Sequence, residues 1–432
     1  MHVLTLVIYR VAIAADEVAL TEVDEEGRTS NSQSTKSGGC VGDKIRSIRA
    51  TMRRGQPGQG NGVLPEARRT TCAFLLFASR RTMRSFYKVC LATLPLTILV
   101  GARRYSPSRY SRTTAYSVKD YYQGGDFFDD WDFYTGSDPT GGNVIYQSKS
   151  DAQSKGLAYV NGDSDNDNDN DNDNGHTDSY SSSSSSSSSI VLAIDSTSTV
   201  AAGGDRDAVR ISSQTSYTGG LFVLDASQMP VGCSVWPSFW TVGPNWPYGG
   251  EIDIVEGINN QAQNQMTVHS GTNYTCTIDT NDSDEYTGSV LASNCYSTES
   301  SDAGCSIKDS SSTSFADGFN NAGGGVFALL WDNSVGLSMW HFARSDIPAD
   351  LTSQAPTPSS WGTPSGFWSA KTCDITDNFY EHQMVIDTTI CGNWAGGAYS
   401  QSGCSGTCTD MVADASNYVD AKWIINYVAV YQ

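Results

Sequence analysis

The chain has 432 residues and a formal net charge of −20 at pH 7, with 47 acidic side chains against 27 basic ones. Residues 1–102 carry 14 Lys/Arg against 8 Asp/Glu, whereas residues 103–432 carry 13 against 39, so the sign of the charge changes near residue 102. An acidic body with no basic patch repels phosphate and excludes nucleic acid as a partner, and its wealth of Gly, Ser, Asn, Asp, Trp and Tyr predicts strands, turns and loops, not long helices.

The basic leader holds two stretches with targeting character. Met1 to Ala15 is apolar but is interrupted by Arg10. The better candidate starts at Met83: Arg80, Arg81, Arg84 and Lys88 precede the apolar run Val89–Ala102, which closes on Val100-Gly101-Ala102. Basic, apolar and small residues in that order predict a secretory signal, and the run is shorter than the roughly 20 residues a membrane span needs. The mature chain is then expected to begin near Arg103, with residues 1–102 a disordered leader and the product extracellular or in the cell wall. The alternative is a short membrane anchor over 86–102.

Residues 103–432 are expected to form one domain. From Tyr105 to Tyr159 aromatic clusters alternate with turn signals, including Asp138-Pro139-Thr140-Gly141-Gly142, which predicts short strands. An alternating Asp/Asn tract (Asp163–Asn174) and a serine run (Ser181–Ser189) follow, and with almost no apolar surface to offset ordering entropy they predict a disordered insertion over 163–189. The tract lacks the Gly and closing Glu of a calcium loop, so no metal is expected there, and no cofactor elsewhere. Apolar runs return at 190–194, 209–211, 220–224, 266–269, 326–331, 337–340 and 421–431. Many strands without alternating helices predict an all-β sandwich or jelly roll of two antiparallel sheets. Eight of the 11 cysteines lie in this domain, and with no clustered His they read as a disulfide framework of unspecified pairing. Asn273 and Asn281 stand in glycosylation sequons.

The chemistry concentrates in Gly249-Gly250-Glu251-Ile252-Asp253-Ile254-Val255-Glu256-Gly257. Residues two apart on a strand share a face, so Glu251 and Asp253 project together over Ile252 and Ile254. Strict alternation puts Val255, not Glu256, on that face; a β-bulge near Ile254-Val255 supplies the extra residue that returns Glu256 to it. Three neighbouring carboxyl groups cannot all ionise cheaply, so at least one should hold a proton, which suits acid catalysis on a glycosidic bond.

This segment resembles the Glu-x-Asp-x-x-Glu signature of glycoside hydrolase family sixteen. Trp236-Pro237-Ser238-Phe239-Trp240, Met266 to Gly271, Cys391 to Gly396 and the terminal Val428 to Gln432 resemble its fungal-type laminarinase branch, over about residues 117–432. The resemblance implies a β-jelly-roll with a glucan cleft on its concave sheet and a retaining double displacement. Glu251 falls on the nucleophile, Glu256 on the acid/base, Asp253 on the helper position and His269 beside the centre. Trp240, Trp246 and Trp394 are expected as sugar platforms, whereas Trp236 is assigned to the core. Gly141 stands where relatives often carry a histidine, so one contact on the non-reducing side is expected to be missing. The expected partner is a β-glucan polysaccharide acted on by a monomer, with endo-hydrolysis of β-1,3 or mixed β-1,3/1,4 linkages. A non-catalytic glucan binder and a membrane-tethered wall transglycosylase are the competing readings, and the presence of both glutamates speaks against the binder.

Overall fold

The computed structural model describes residues 21–23, 29–31, 115–162, 188–272, 275–281 and 283–432. The chain divides into two units at residue 98; in the first, Thr21–Val23 and Thr29–Asn31 pair antiparallel. The leader segment 83–102, residues 163–187 of the insertion and Asn273 lie outside the described residues. Ser189, expected within the insertion, is the first residue of the strand Ser189–Ala193.

In the second unit two eight-stranded antiparallel sheets stack. One runs Ser289–Ala292, Cys305–Lys308, Gln265–His269, Glu251–Glu256, Val235–Val242, His382–Ile390, Arg210–Tyr217 and Trp131–Phe133, in spatial order. The other runs Gly366–Ser369, Gly336–Ala343, Gly325–Asp332, Gly220–Gln228, Lys422–Tyr431, Ser189–Ala193 and Ala158–Asn161, with Val118–Tyr122 pairing on Lys422–Tyr431. The all-β sandwich expected from the sequence is what forms, with only short helices such as Lys149–Ser154, whose first turn is capped by the Ser148 hydroxyl accepting from Asp151 N.

The core lies between the sheets. Phe239, Ile252, Ile254, Val255, Met266, Val268 and Ile386 from the first sheet meet Phe222, Leu224, Phe327, Leu329, Trp423 and Val430 from the second. The second sheet is also covered on its other face, where Leu221, Val223, Val326, Ala328, Leu330, Trp340 and Ala429 pack under Tyr116 and Leu351. Burial on both faces is why its strands read as near-continuous apolar runs. A third cluster gathers the C-terminal loops, stapled by Cys233–Cys404 and Cys391–Cys408; Cys276–Cys373 and Cys295–Cys305 complete the pairing of all eight cysteines of this unit. Beneath that cluster Arg206 is fully buried, its guanidinium donating to Val412 O, Asp195 O and Ser198 O and lying 4.9 Å from the Tyr418 ring centroid.

Candidate active site

The bulge expected from the spacing of the acids is present. Val242 pairs with Glu251, Trp240 with Asp253, Phe239 with Val255 and Ser238 with Glu256, which leaves Ile254 as the unopposed residue. Ile254 and Val255 therefore both enter the core, each at most 1% exposed, and Glu256 emerges on the face of Glu251 and Asp253. The bulge is held from behind: the Asn264 amide donates to Ile254 O at 2.8 Å and its carbonyl accepts from Glu256 N at 2.9 Å.

The start of the strand is fixed by close backbone packing. Gly250 has φ +81°, and a Cβ there would stand 2.3 Å from Asn378 O, so only glycine fits. The carbonyl of Gly249 accepts a hydrogen bond from His382 Nε2 at 2.8 Å, which makes Nδ1 the acceptor of the Thr241 hydroxyl.

On the next strand His269 lies opposite Glu251. Its Nε2 is 3.1 Å from Asp253 Oδ2 and 3.8 Å from Glu251 Oε1, and its Nδ1 is 3.0 Å from Ser297 Oγ. Burial and the charge of Asp253 push Glu251 up to about 8. The same two causes hold Glu256 well above the usual carboxyl range, against a lowering hydrogen bond from Trp236. Burial pulls His269 down, but Glu251 and the hydrogen-bonded Asp253 outweigh it and raise the ring to about 9. Glu251, Asp253 and His269 bring ligand-type atoms within 4.8 Å of one another. Both nitrogens of His269 have partners, Asp253 and Ser297, so the group forms a hydrogen-bonded, proton-sharing network.

Trp236 corrects the sequence reading. It is not a core residue: its Nε1 donates to Glu256 Oε1 at 2.9 Å, with Ser238 Oγ 3.4 Å from the same oxygen. Alternation in Val235–Val242 was the available signal, because Trp236, Ser238 and Trp240 share one face while Pro237 and Phe239 take the other. Trp394, in the helical turn Gly392–Gly396, meets the Trp236 ring edge to face at 5.4 Å. Trp240 sits opposite Asp253, and the Arg210 guanidinium lies 4.9 Å from its ring centroid. Trp246 is half-buried on the loop before the strand Glu251–Glu256, and its indole lowers Glu251 slightly against the larger raising effects. Further along this face sequence reasoning missed Asp387, paired with Arg210 at 3.4 Å and raised by burial to about 6 despite that cation. Nothing local in Val385-Ile386-Asp387 marks it, because its role follows from a strand neighbour 177 positions away.

The chain matches the profile of an XgeA-like, catalytic GH16 domain over residues 131–184 and 171–431. It is 36% identical over 336 residues to a probable endo-1,3(4)-β-glucanase of Aspergillus fumigatus, a match that covers 75% of this chain but 46% of that protein. The chain thus spans about half the length of that relative. Among solved structures it resembles an elongating GH family 16 β-1,3-glucosyltransferase, with 36% identity, a TM-score of 0.64, and 74% of this chain and all of that one covered. Laminarinase 16A from Phanerochaete chrysosporium, crystallised with 6-O-glucosyl-laminaritriose in donor and acceptor sites, aligns at 33% identity with a TM-score of 0.65 over 74% of this chain and all of that one.

Proposed function

The chain belongs to glycoside hydrolase family sixteen, and from that premise we propose that it is a secreted, monomeric endo-β-glucanase cleaving β-1,3 or mixed β-1,3/1,4 linkages with retention. The observation that carries the reading is the bulge at Ile254, which sets Glu256 beside Glu251 on one face and leaves Asp253 between them. Glu251, facing His269, attacks the anomeric carbon. Glu256, kept protonated by burial and by Asp253, gives its proton to the leaving oxygen. As a carboxylate it then removes a proton from the water that opens the glycosyl-enzyme. Trp240, Trp246 and Trp394 supply aromatic surface for glucose rings along the same face. Four disulfides suit an oxidising compartment, and among the described residues no helix is long and apolar enough to cross a membrane.

The test is reducing-sugar release from laminarin and lichenan by the wild type, Glu251→Gln and Glu256→Gln. Both variants are expected to lose hydrolysis. On an activated aryl glycoside, azide is expected to restore turnover with retained configuration to Glu256→Gln alone, since azide needs no general base. Wild-type rates in both variants refute the assignment, and an inverted first product refutes the double displacement. Similarity to a glucosyltransferase favours one further reading, in which a sugar hydroxyl intercepts the same intermediate. Oligosaccharides longer than the starting laminari-oligosaccharide would identify that activity, whereas binding without cleavage would identify a glucan binder.

A further inference from the structure

Deepening the reading above and resting on it, we propose that Ser297 is a positioning residue that holds His269 as a cation, so that the imidazolium and not a proton on Glu251 balances the carboxylates of Glu251 and Asp253. The geometry around the ring is one of acceptors. Nε2 faces two carboxylate oxygens, Asp253 Oδ2 at 3.1 Å and Glu251 Oε1 at 3.8 Å, so it carries a proton. Nδ1 faces Ser297 Oγ at 3.0 Å. In the proposed arrangement the hydroxyl gives its one proton to the carbonyl of Cys295, 3.4 Å away, and turns a lone pair toward Nδ1. An N–H is needed there too. With both nitrogens donating, the ring is an imidazolium, and His269 rises to about 9, above Glu251 at about 8, in keeping with that geometry.

The segment carrying Ser297 is built against this ring. Ser270, the residue after His269, donates its N–H to Cys295 O at 2.8 Å and accepts from Ser297 N at 2.9 Å, which sets Ser297 beside the imidazole. The disulfide Cys295–Cys305 closes the loop, and Gly304 lies so close to the ring that a Cβ there would stand 2.8 Å from Nδ1 and Cε1. Ser297 is fully buried, so no water competes for its hydroxyl. The charged groups that act on His269 are Glu251, Asp253 and Glu256, all from the catalytic strand. On the strand at its other side Cys305 and Ser306 are uncharged, and Lys308 lies opposite Gln265, at the far end from His269. Ser297 is thus the uncharged partner that decides whether the second ring proton is accommodated.

The consequence is a division of protons suited to the chemistry. Two protons shared among Glu251, Asp253, Glu256 and the imidazole go to Glu256, as the acid, and to His269. Glu251 is left ionised for attack.

The experiment uses full-length protein with ¹⁵N-labelled histidine; the chain has five histidines, and the spectrum of His269→Gln identifies the ring in question. In the wild type both nitrogens are expected to be protonated at pH 7. In Ser297→Ala the midpoint of the ring's titration is expected to fall by about one pH unit, the scale of one hydrogen bond to a charged group. A neutral ring at pH 7 in the wild type overturns the proposal without depending on any variant folding. So does a midpoint that stays or rises in Ser297→Ala, the result if the hydroxyl donates to a neutral ring. Because the spectrum needs no turnover, a cationic His269 in a protein that cleaves neither laminarin nor lichenan upholds this assignment and removes the functional reading.

Discussion

Replacing Trp236 with phenylalanine keeps an aromatic ring against Trp394 and deletes one bond, the 2.9 Å donation from Nε1 to Glu256 Oε1. That bond favours the carboxylate, and only the Ser238 hydroxyl at 3.4 Å remains to replace it. A hydrogen bond to a charged group is worth about 1.5–3 kcal/mol, and 1.36 kcal/mol is one pKa unit, so Glu256 should rise by roughly one to two units from a position already raised by burial and Asp253. In the proposed mechanism Glu256 must be protonated to release the leaving sugar, so the alkaline limb of kcat/KM on laminarin should move to higher pH by about that amount. Opening the proposed glycosyl-enzyme needs the carboxylate instead. With an activated aryl glycoside, where that step limits, kcat at pH 7 should fall. The assay is a pair of pH–rate profiles on the two substrates. An alkaline limb that stays in place or moves down while the fold is intact would falsify the role given to Trp236.

Asp253→Asn removes a charge that raises both Glu251 and Glu256, so the pH–rate profile should move to lower pH as a whole with weak activity kept; an unchanged profile would show that Asp253 does not share in the proton balance. Deleting Ile254 restores strict alternation and still leaves Glu251, Asp253 and Glu256 on one face, at the cost of a buried side chain of about 2–5 kcal/mol; measurable glucan cleavage at a lowered Tm is expected, and a stable but wholly inactive deletion mutant would contradict the pairing described. His382 is lowered by burial to about 4 against 6.5 in a free side chain, so its contribution is complete above pH 6.5 and is lost as pH falls toward 4, up to about 3 kcal/mol. Urea midpoints at pH 7 and pH 4.5 should differ more in the wild type than in His382→Gln; an equal or smaller difference in the wild type would refute this. Arg206→Met strands the carbonyls of Val412, Asp195 and Ser198 and should cost about 3–5 kcal/mol by calorimetry; a change under 1 kcal/mol would mean that water replaces the guanidinium.

The strand Glu251–Glu256 was legible because its pattern broke a simple rule: acids at 251, 253 and 256 do not fit a period of two, and a bulge is the shortest repair. The second sheet was legible because its runs, Val326 to Trp331 among them, are apolar on both faces. Val235–Val242 and His382–Ile390 did not announce themselves as strands. Pro237 interrupts the first, and it is tolerated although Val235–Val242 pairs on both sides, with Glu251–Glu256 and with His382–Ile390. The second mixes Gln383, Asp387, Thr388 and Thr389 with its apolar residues because its outward face lines the site beside Arg210 and Asp138. Ser297 and Trp236 were harder still. A serine 28 residues beyond His269 has meaning only through the backbone bridge at Ser270 and the closed Cys295–Cys305 loop, which are facts of tertiary structure.

The bulge settles which face the glutamates occupy but not how far apart their carboxyl groups stand. Val242 and Ser238, the partners of Glu251 and Glu256, are four residues apart, so the two glutamate Cα atoms are separated by about 13 Å along the sheet. Double displacement needs carboxyl groups about 5–5.5 Å apart, and inversion about 6.5–9.5 Å. Both outcomes are within reach of two side chains that lean inward over Asp253, so the lean decides the mechanism. It is set by anchors: Trp236 and Ser238 on Glu256, His269 on Glu251. The loop that orients His269 and the tryptophan once assigned to the core therefore bear on the same quantity. Loosening either should raise the share of inverted product before it abolishes cleavage, because a wider gap admits water where the nucleophile should be.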